Sequence, residues 1–446
     1  MYKINEWKEK ILEKNDVKSY KHIDRKIDIR IDKDFELVKT TLEDLNNHQF
    51  LPFIKRTEIT SRYKRGKCSC GNLKKDEACL MECGYRSKAK KSKVRPIMYS
   101  SHLDSLVYSY YNFILSEAYE KKLSNSALGE NVTAYRKIPL EEGSKKGKCN
   151  IHFAKESFDY IVEKGDCSVI TSDISGFFDN LDHRLLLKSI KKVAERDSLD
   201  KLYKIYKSVT RYHYINYYLS FNKPEFRDIL KKSRYKIYSK IKEHTKKNRS
   251  NKGIPQGSPI SGLLSNIYMY DFDREIVDKY PDVFYRRYSD DILIVCDQNK
   301  VEEIQIFLFN LINESLLEIQ PEKTNMATFR NGICVDVVDG SGEKMRRKYV
   351  DYLGFEFYGD KILMRKKSFN KQKGKQERKV KKRVHNTSYQ SKSGDETRNK
   401  VRRSDYLKKT QVLFRTGEII KQIKTLSRSR NKKRKIAASK KRDDEK

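Results

Sequence analysis

The sequence predicts an α+β fold, and three observations carry that expectation. Residues 168–173 form a β-branched run that ends at an acid, Asp173. Residues 284–296 read as two strand-like runs around a tight Ser289-Asp290-Asp291 turn, a β-hairpin with adjacent carboxylates at its tip. The stretches 99–122 and 183–250 instead read as helices.

Along the chain, the helix at 99–122 follows from Leu103, Leu106, Val107, Tyr110 and Ile114, which share one face at helical spacing. A strand at 168–173 suits β-branched side chains, and Gly176 opens the turn beyond it. Residues 183–250 contain no Gly, and only Lys223-Pro224 interrupts a helical reading. Two Pro and two Gly within 253–259 fix a loop whose backbone can approach a ligand closely, and a helix is expected over 260–272. Val412, Leu413, Ile419, Ile420 and Ile423 indicate one amphipathic helix near the end, and 431–446 reads as a disordered basic tail. No internal repeat is visible.

The 446 residues include 98 Lys and Arg against 61 Asp and Glu, a net charge of +37. Residues 361–446 hold 32 basic and 8 acidic side chains, so +24 of that excess lies there. Such a chain repels itself unless a polyanion neutralises it, and nucleic acid is the expected partner, with 361–409 against a duplex backbone. The 29 Tyr and 19 Phe supply apolar area that disordered chains lack, so two or three packed units are expected. No run of 18 apolar residues exists, and the opening MYKINEWKEK precedes no apolar segment. No membrane contact is expected, and the localisation read from the sequence is cytoplasmic.

The carboxylates carry the chemistry. Adjacent Asp290 and Asp291 in an apolar hairpin repel unless a cation neutralises them or one takes up a proton. With Asp173 at a neighbouring strand end and the backbone carbonyl of Ile174, they make a set of hard oxygen ligands suited to Mg²⁺. Two such ions about 4 Å apart can activate a 3′-hydroxyl and stabilise leaving pyrophosphate.

With these residues in order, the chain resembles the reverse transcriptases of the bacterial, group II intron-like lineage over about residues 90–360. The similarity includes Arg95-Pro96-Ile97 and Ala134-Tyr135-Arg136 in the fingers, 173–183 as motif A, 253–259 as motif B and 288–291 as motif C. Residues 317–324 are similar to motif D, and Tyr352-Leu353-Gly354-Phe355 to motif E. The resemblance implies a right-hand polymerase fold. Its parts would be an N-terminal extension at 1–50, fingers at 51–165, a palm with an antiparallel sheet at 166–350 and a basic, helical thumb at 351–430. It implies that Asp173, Asp290 and Asp291, with Ile174, hold two Mg²⁺, and that Gln256, Gly257 and Tyr288 line the nucleotide site. Lys323 would protonate pyrophosphate, and Lys93, Arg95 and Arg136 would clamp the triphosphate. Phe178 stands where the family places an aromatic gate under the deoxyribose, which implies dNTPs rather than NTPs.

No RNase H, maturase or endonuclease module is apparent, and 332–340 lacks the Val-Thr-Gly string usual in retron enzymes. The remaining pattern is similar to the unknown-group reverse transcriptases associated with anti-phage defence, of which the type-three systems are one candidate. That resemblance implies an RNA template or structured non-coding RNA, a DNA product duplex, and a second reverse transcriptase or self-association. Two alternatives stay open: a catalytically silent RNA-binding protein on the same fold, and a polymerase independent of template or primer.

Cys68, Cys70, Cys79 and Cys83 fall within 16 residues, inside an insertion at about 64–90. Four thiolates can bind one structural Zn²⁺ and so fold a segment too polar for its own core; free thiols are the alternative, because the C-x-C-x₈-C-x₃-C spacing departs from paired C-x₂-C knuckles. Cys167 and Cys296 sit in apolar strand contexts where a small core thiol suffices.

Overall fold

The computed structural model describes residues 3–13, 20, 22–65, 88–144, 146–194, 199–217, 241–319 and 324–391. Two compact units are present, each built from separate segments: Met1–Gly129 with Gly176–Arg274 and Ser315–Leu317, and Glu130–Ser175 with Glu275–Glu314 and Glu318–Lys446. Helices and largely antiparallel sheets share the chain, as the α+β expectation required.

In the first unit, helices α1 (Ile4–Glu13) and α2 (Asp32–Glu43) precede a long antiparallel hairpin of β1 (Phe53–Arg65) and β2 (Lys88–Tyr99). The central helix α3 (His102–Asn125) starts where the Ser101 hydroxyl accepts the Asp104 N–H at 3.2 Å, satisfying one orphan donor of its first turn. Its Leu103, Val107 and Tyr110 are buried as expected, whereas Leu106 and Ile114 are only partly so. Trp7 of α1 meets Tyr110 edge-on at 5.7 Å. The one-turn helix α5 (Phe177–Asn180), α6 (His183–Val193) and α7 (Leu199–Thr210) follow.

The helical reading of 183–250 then fails. β4 (His213–Asn216) pairs parallel to β1, and β5 (Lys246–Lys247) pairs antiparallel to β4, giving a sheet of order β2-β1-β4-β5. Ile215 of β4 is buried with Ile23, Leu51, Ile54 and Ile241, and that long-range packing overrides a local helical preference. The expected helix over 260–272 is two helices, α8 (Ser261–Tyr268) and α9 (Tyr270–Lys279), separated at Met269.

The second unit centres on an antiparallel sheet of order β6-β7-β3-β8-β9. Its strands are β3 (Cys167–Asp173), β6 (Phe284–Tyr288), β7 (Asp291–Cys296), β8 (Asn325–Arg330) and β9 (Ile333–Asp339). β3 is buried from Cys167 through Ser172, which is why it reads as a continuous rather than alternating run. Helices α4 (Asn150–Lys164) and α10 (Val301–Glu314) belong here, with a small sheet of β10 (Val350–Tyr352), β11 (Phe355–Phe357) and β12 (Ile362–Met364). Phe357 stacks on Phe158 of α4 at 4.5 Å and on Phe329 of β8 at 5.6 Å, joining helix and both sheets in one core. Cys167 and Cys296 lie in that unit's interior, and burial pushes their thiols up to about 11 and about 12. Helix α11 (Lys366–Ser391) carries ten Lys or Arg against one Glu in its sequence.

Cys68, Cys70, Cys79, Cys83, Lys323, the amphipathic segment at 412–423 and the basic tail lie outside the described residues. Among those described, no helix is long and apolar enough to cross a membrane.

Candidate active site

Backbone pairing assembles the acidic residues of the second unit. β3 is flanked by β7, and their register sets Asp173 directly opposite Asp291. Tyr288 faces Asp291 across the β6–β7 hairpin, leaving Ser289 and Asp290 as a two-residue loop. Ser289 takes φ +61°, a left-handed conformation that a non-glycine residue adopts only where its surroundings hold it. The Ile174 N–H donates to the Asp290 carbonyl at 3.1 Å, which pins the hairpin tip to the end of β3, and the Ser175 N–H donates to the Glu318 carbonyl at 2.9 Å.

Electrostatics mark Asp291 out. Burial, then the neighbouring charges of Asp290 and Asp173, push its carboxyl up to about 7, opposed by Arg365. Arg365 is itself held by Asp351, its Nε donating at 2.9 Å. Burial raises the Tyr288 and Tyr352 hydroxyls as well, and the Tyr352 hydroxyl has no hydrogen-bond partner among the described residues. Hard carboxylate donors, one of them lifted into the neutral range by burial and then by its neighbours' charge, fit a divalent cation in kind. Among the described residues no three His, Cys, Asp or Glu side chains stand close enough to hold a metal ion, so that fit rests on donor chemistry and register.

The guanidinium of Arg287 was not anticipated. Fully buried on β6, it donates through Nη1 to the Ser289 carbonyl at 3.2 Å, directly under the loop. Its backbone is clamped too: the Arg287 N–H donates to Asn131 O at 2.7 Å, and its carbonyl accepts from the Thr133 N–H and hydroxyl, each at 3.0 Å. Segment 131–133 thus runs along the hairpin and continues into Tyr135 and Arg136. The Arg136 guanidinium turns back to donate to the Val132 carbonyl of its own loop.

The remaining expected residues belong to the first unit. Phe178 lies on α5, half-buried, with its ring edge-on to Phe177 at 5.6 Å. Its carbonyl accepts the Ile254 N–H at 2.9 Å, and the Leu181 carbonyl accepts the Gly253 N–H at 2.9 Å, which joins the Pro-Gln-Gly loop to α5. Gly253 has φ +88°, and a Cβ there would meet the Asp179 carbonyl oxygen at 2.8 Å, so only Gly fits. The Met98 N–H donates to the Gln256 carbonyl at 2.8 Å, placing β2 beside this loop. Arg95 stands exposed on that strand opposite Glu58; Lys93 lies on the same strand, opposite Thr60.

Residues 87–357 match a family model described as reverse transcriptase (RNA-dependent DNA polymerase). The chain belongs to the reverse transcriptase family. Its helices and largely antiparallel sheets are those of the right-hand polymerase fold of that family. This reverse transcriptase is similar to apo telomerase from Candida tropicalis truncated from its C-terminal domain, at 12% identity over 62% of this chain and 53% of that one, with a TM-score of 0.40. It is also similar to telomerase from Candida albicans in complex with a TWJ fragment of telomeric RNA, at 14% identity over 63% and 44%, with a TM-score of 0.33. The chain spans about half the length of these telomerases or less. No curated protein matches it.

A pH dependence follows from Asp291. Its folded-state carboxyl titrates near 7, above the unfolded value of about 4, so between these limits the folded chain binds more protons than the unfolded one. Stability of the metal-free reverse transcriptase should therefore fall as pH rises from about 4 to 7, by at most about 1.4 kcal/mol per pH unit from this group. Comparing thermal melts of wild type and Asp291→Asn across that range isolates the slope, which the variant should lack.

Proposed function

We infer that this reverse transcriptase extends a DNA strand on an RNA template, with Asp173, Asp290 and Asp291 holding two Mg²⁺ and the Ile174 carbonyl as an added ligand. The supporting observation is the pinned register that sets Asp173 against Asp291, where burial and then the neighbouring carboxylates have lifted one carboxyl to about 7. When bound, such ions activate the 3′-hydroxyl and stabilise the charge on pyrophosphate. The chain's own residues position the reactants. Gln256 and Gly257 line the nascent base pair, and Gly257, at φ +118° with Met98 O 2.8 Å from where a Cβ would stand, lets backbone approach closely. Tyr288 borders the nucleotide, Lys93, Arg95 and Arg136 receive the triphosphate, and Lys323 gives pyrophosphate its proton. In this reading 1–50 is an extension, 51–165 serves as fingers, 166–350 as palm and 351–430 as thumb. Primer extension on an RNA template with Mg²⁺ tests it, and no incorporation under any divalent ion would remove it.

Phe178 is the sugar gate in this reading. Its ring under the deoxyribose leaves no space for a 2′-hydroxyl, so Phe178→Ala should lower dNTP over NTP discrimination by at least about tenfold, or about 1.4 kcal/mol. Unchanged discrimination alongside lowered stability would make the ring a packing element only.

The template is a dedicated structured non-coding RNA copied in anti-phage defence, in the manner of the bacterial unknown-group enzymes, with a companion polymerase or a second copy as partner. The basic sequence from 361 onward and the similarity of the motif set support this. Sequencing the nucleic acid that copurifies should return one dominant RNA and its complementary DNA; a broad sample of cellular transcripts would contradict it. The cysteines Cys68, Cys70, Cys79 and Cys83 hold one Zn²⁺, and metal analysis of protein purified without added zinc should find it at one per chain.

A further inference from the structure

A groove of about 520 Å³ opens in the first unit at the β4–β5 edge, lined by His213, Tyr214, Lys242, Lys246, Lys247 and Arg249 with Thr245. The register sets His213 opposite Lys247 and Tyr214 opposite Lys246. No acid lines it, and no ion pair is formed by Lys242, Lys246, Lys247 or Arg249 among the described residues. Crowding is evident at His213, whose ring is held below its ordinary range first by burial and then by Lys247. Like charges set together cost stability, and a solvated tail avoids that cost by moving apart.

These cations cannot move apart freely, because their backbone is anchored. The Asn248 N–H and side-chain amide donate to the Tyr212 and Thr210 carbonyls at 2.8 and 2.9 Å. The His183 N–H donates to the Asn251 carbonyl at 2.9 Å. On the other side, the Thr245 hydroxyl donates to the carbonyl of Ile241, which is fully buried. One wall is aromatic: Tyr214, with Lys55 Nζ 4.8 Å from its ring centroid, adds a further cation beside the groove.

We propose that this groove binds a single strand of nucleic acid through its phosphodiester backbone, as a contact separate from the carboxylate site and the triphosphate residues. The lining cations are exposed and spread from 242 to 249, and no buried donor converges on one point. One free phosphate calls for convergent donors, whereas a strand meets separate cations with successive charges. A half-exposed Tyr beside cations is also the composition that grips single strands without reading sequence.

The test uses the full-length chain carrying Asp290→Asn, so that binding is read without synthesis. Fluorescence anisotropy with labelled single-stranded RNA, and separately DNA of the same sequence, is followed across a salt series. A groove variant, Lys246→Gln with Lys247→Gln and Arg249→Gln, is compared with a control of equal charge change at exposed positions elsewhere, Lys26→Gln with Lys121→Gln and Lys122→Gln. Loss of three phosphate contacts should flatten the slope of log affinity against log salt by about 2 and weaken binding roughly fifty-fold at about 0.15 M salt, with the control near wild type. A loss confined to RNA identifies the template strand, and an equal loss on DNA identifies a contact with either strand; both support the groove. Equal losses in groove variant and control, or no loss in either, would overturn it, as would wild-type binding of pyrophosphate that the groove variant loses while strand affinity stays intact. Matching melting temperatures for the two variants show that both are folded. Failure here leaves the polymerase reading standing, and absence of incorporation by the wild-type chain leaves the groove untouched.

Discussion

Replacing Asp290 by Asn is expected to lower Mg²⁺-dependent dNTP incorporation by about a thousandfold or more while leaving RNA binding within a few-fold of wild type. The side chain keeps its shape, so the hairpin loop and the bond from the Ile174 N–H to the residue 290 carbonyl can persist. What is lost is one negative charge from a pair that, in the proposed function, holds cations together with Asp173, and interactions of that kind are worth several kcal/mol each. The same change has an opposite consequence for stability. Asp290 is one of the charges that push Asp291 up to about 7, so removing it lets Asp291 ionise nearer its ordinary value. The metal-free variant should then melt higher than wild type at pH 7 to 8, where the native carboxylates repel most. A variant that is both more stable and inactive is the signature of a carboxylate retained for chemistry. If Asp290 were a solvated turn residue, incorporation would be unchanged and the melting temperature would hardly move.

How much of this was legible in the sequence depends on whether neighbours or distant segments set the structure. β3 and the β6–β7 hairpin were readable because their information is local: a β-branched run ending at Asp173, and two strand-like runs separated by Ser289-Asp290. Their mutual register is not local, and nothing in either segment alone states that Asp173 faces Asp291. The strand at His213–Asn216 was missed for the same reason. Four residues in a Lys- and Tyr-rich stretch carry no period long enough to distinguish strand from helix, and the decision is made by β1, about 160 residues earlier in the chain. The two compact units are likewise invisible in composition, since the chain passes between them at Ser175–Gly176 within the very segment that reads as one motif. Arg287 was hidden by its type, because an arginine is ordinarily read as exposed. The available signal was alternation along β6: Tyr285 and Arg287 share one face two residues apart, and Tyr285 is plainly a core residue.

That buried arginine supports the last expectation. Arg287→Met should lower kcat for incorporation about a hundredfold, with the KM for dNTP little changed, and should cost roughly 1–3 kcal/mol of stability. Methionine fills much of the same volume, so the core is not emptied. It cannot donate to the Ser289 carbonyl, and that bond is one of the restraints on a residue at φ +61°, a conformation that serine does not adopt for its own sake. Released, Ser289 can relax toward ordinary backbone angles, and the peptide that carries Asp290 rotates with it. A carboxylate displaced by about 1 Å still binds nothing worse at the base or the sugar, which is why KM should stay put while kcat falls. Arg287→Lys should recover the charge but only part of the rate, because an ammonium on a flexible stem lacks the planar fork that meets a fixed carbonyl. Mg²⁺ titration separates the roles: a positioning residue raises the Mg²⁺ concentration needed for half-maximal rate, whereas a residue that only stabilises the unit lowers the melting temperature and leaves that midpoint alone. A full rate with Met at 287 would show that the rest of the clamp, the Asn131 and Thr133 bonds to the strand backbone, suffices to hold the loop.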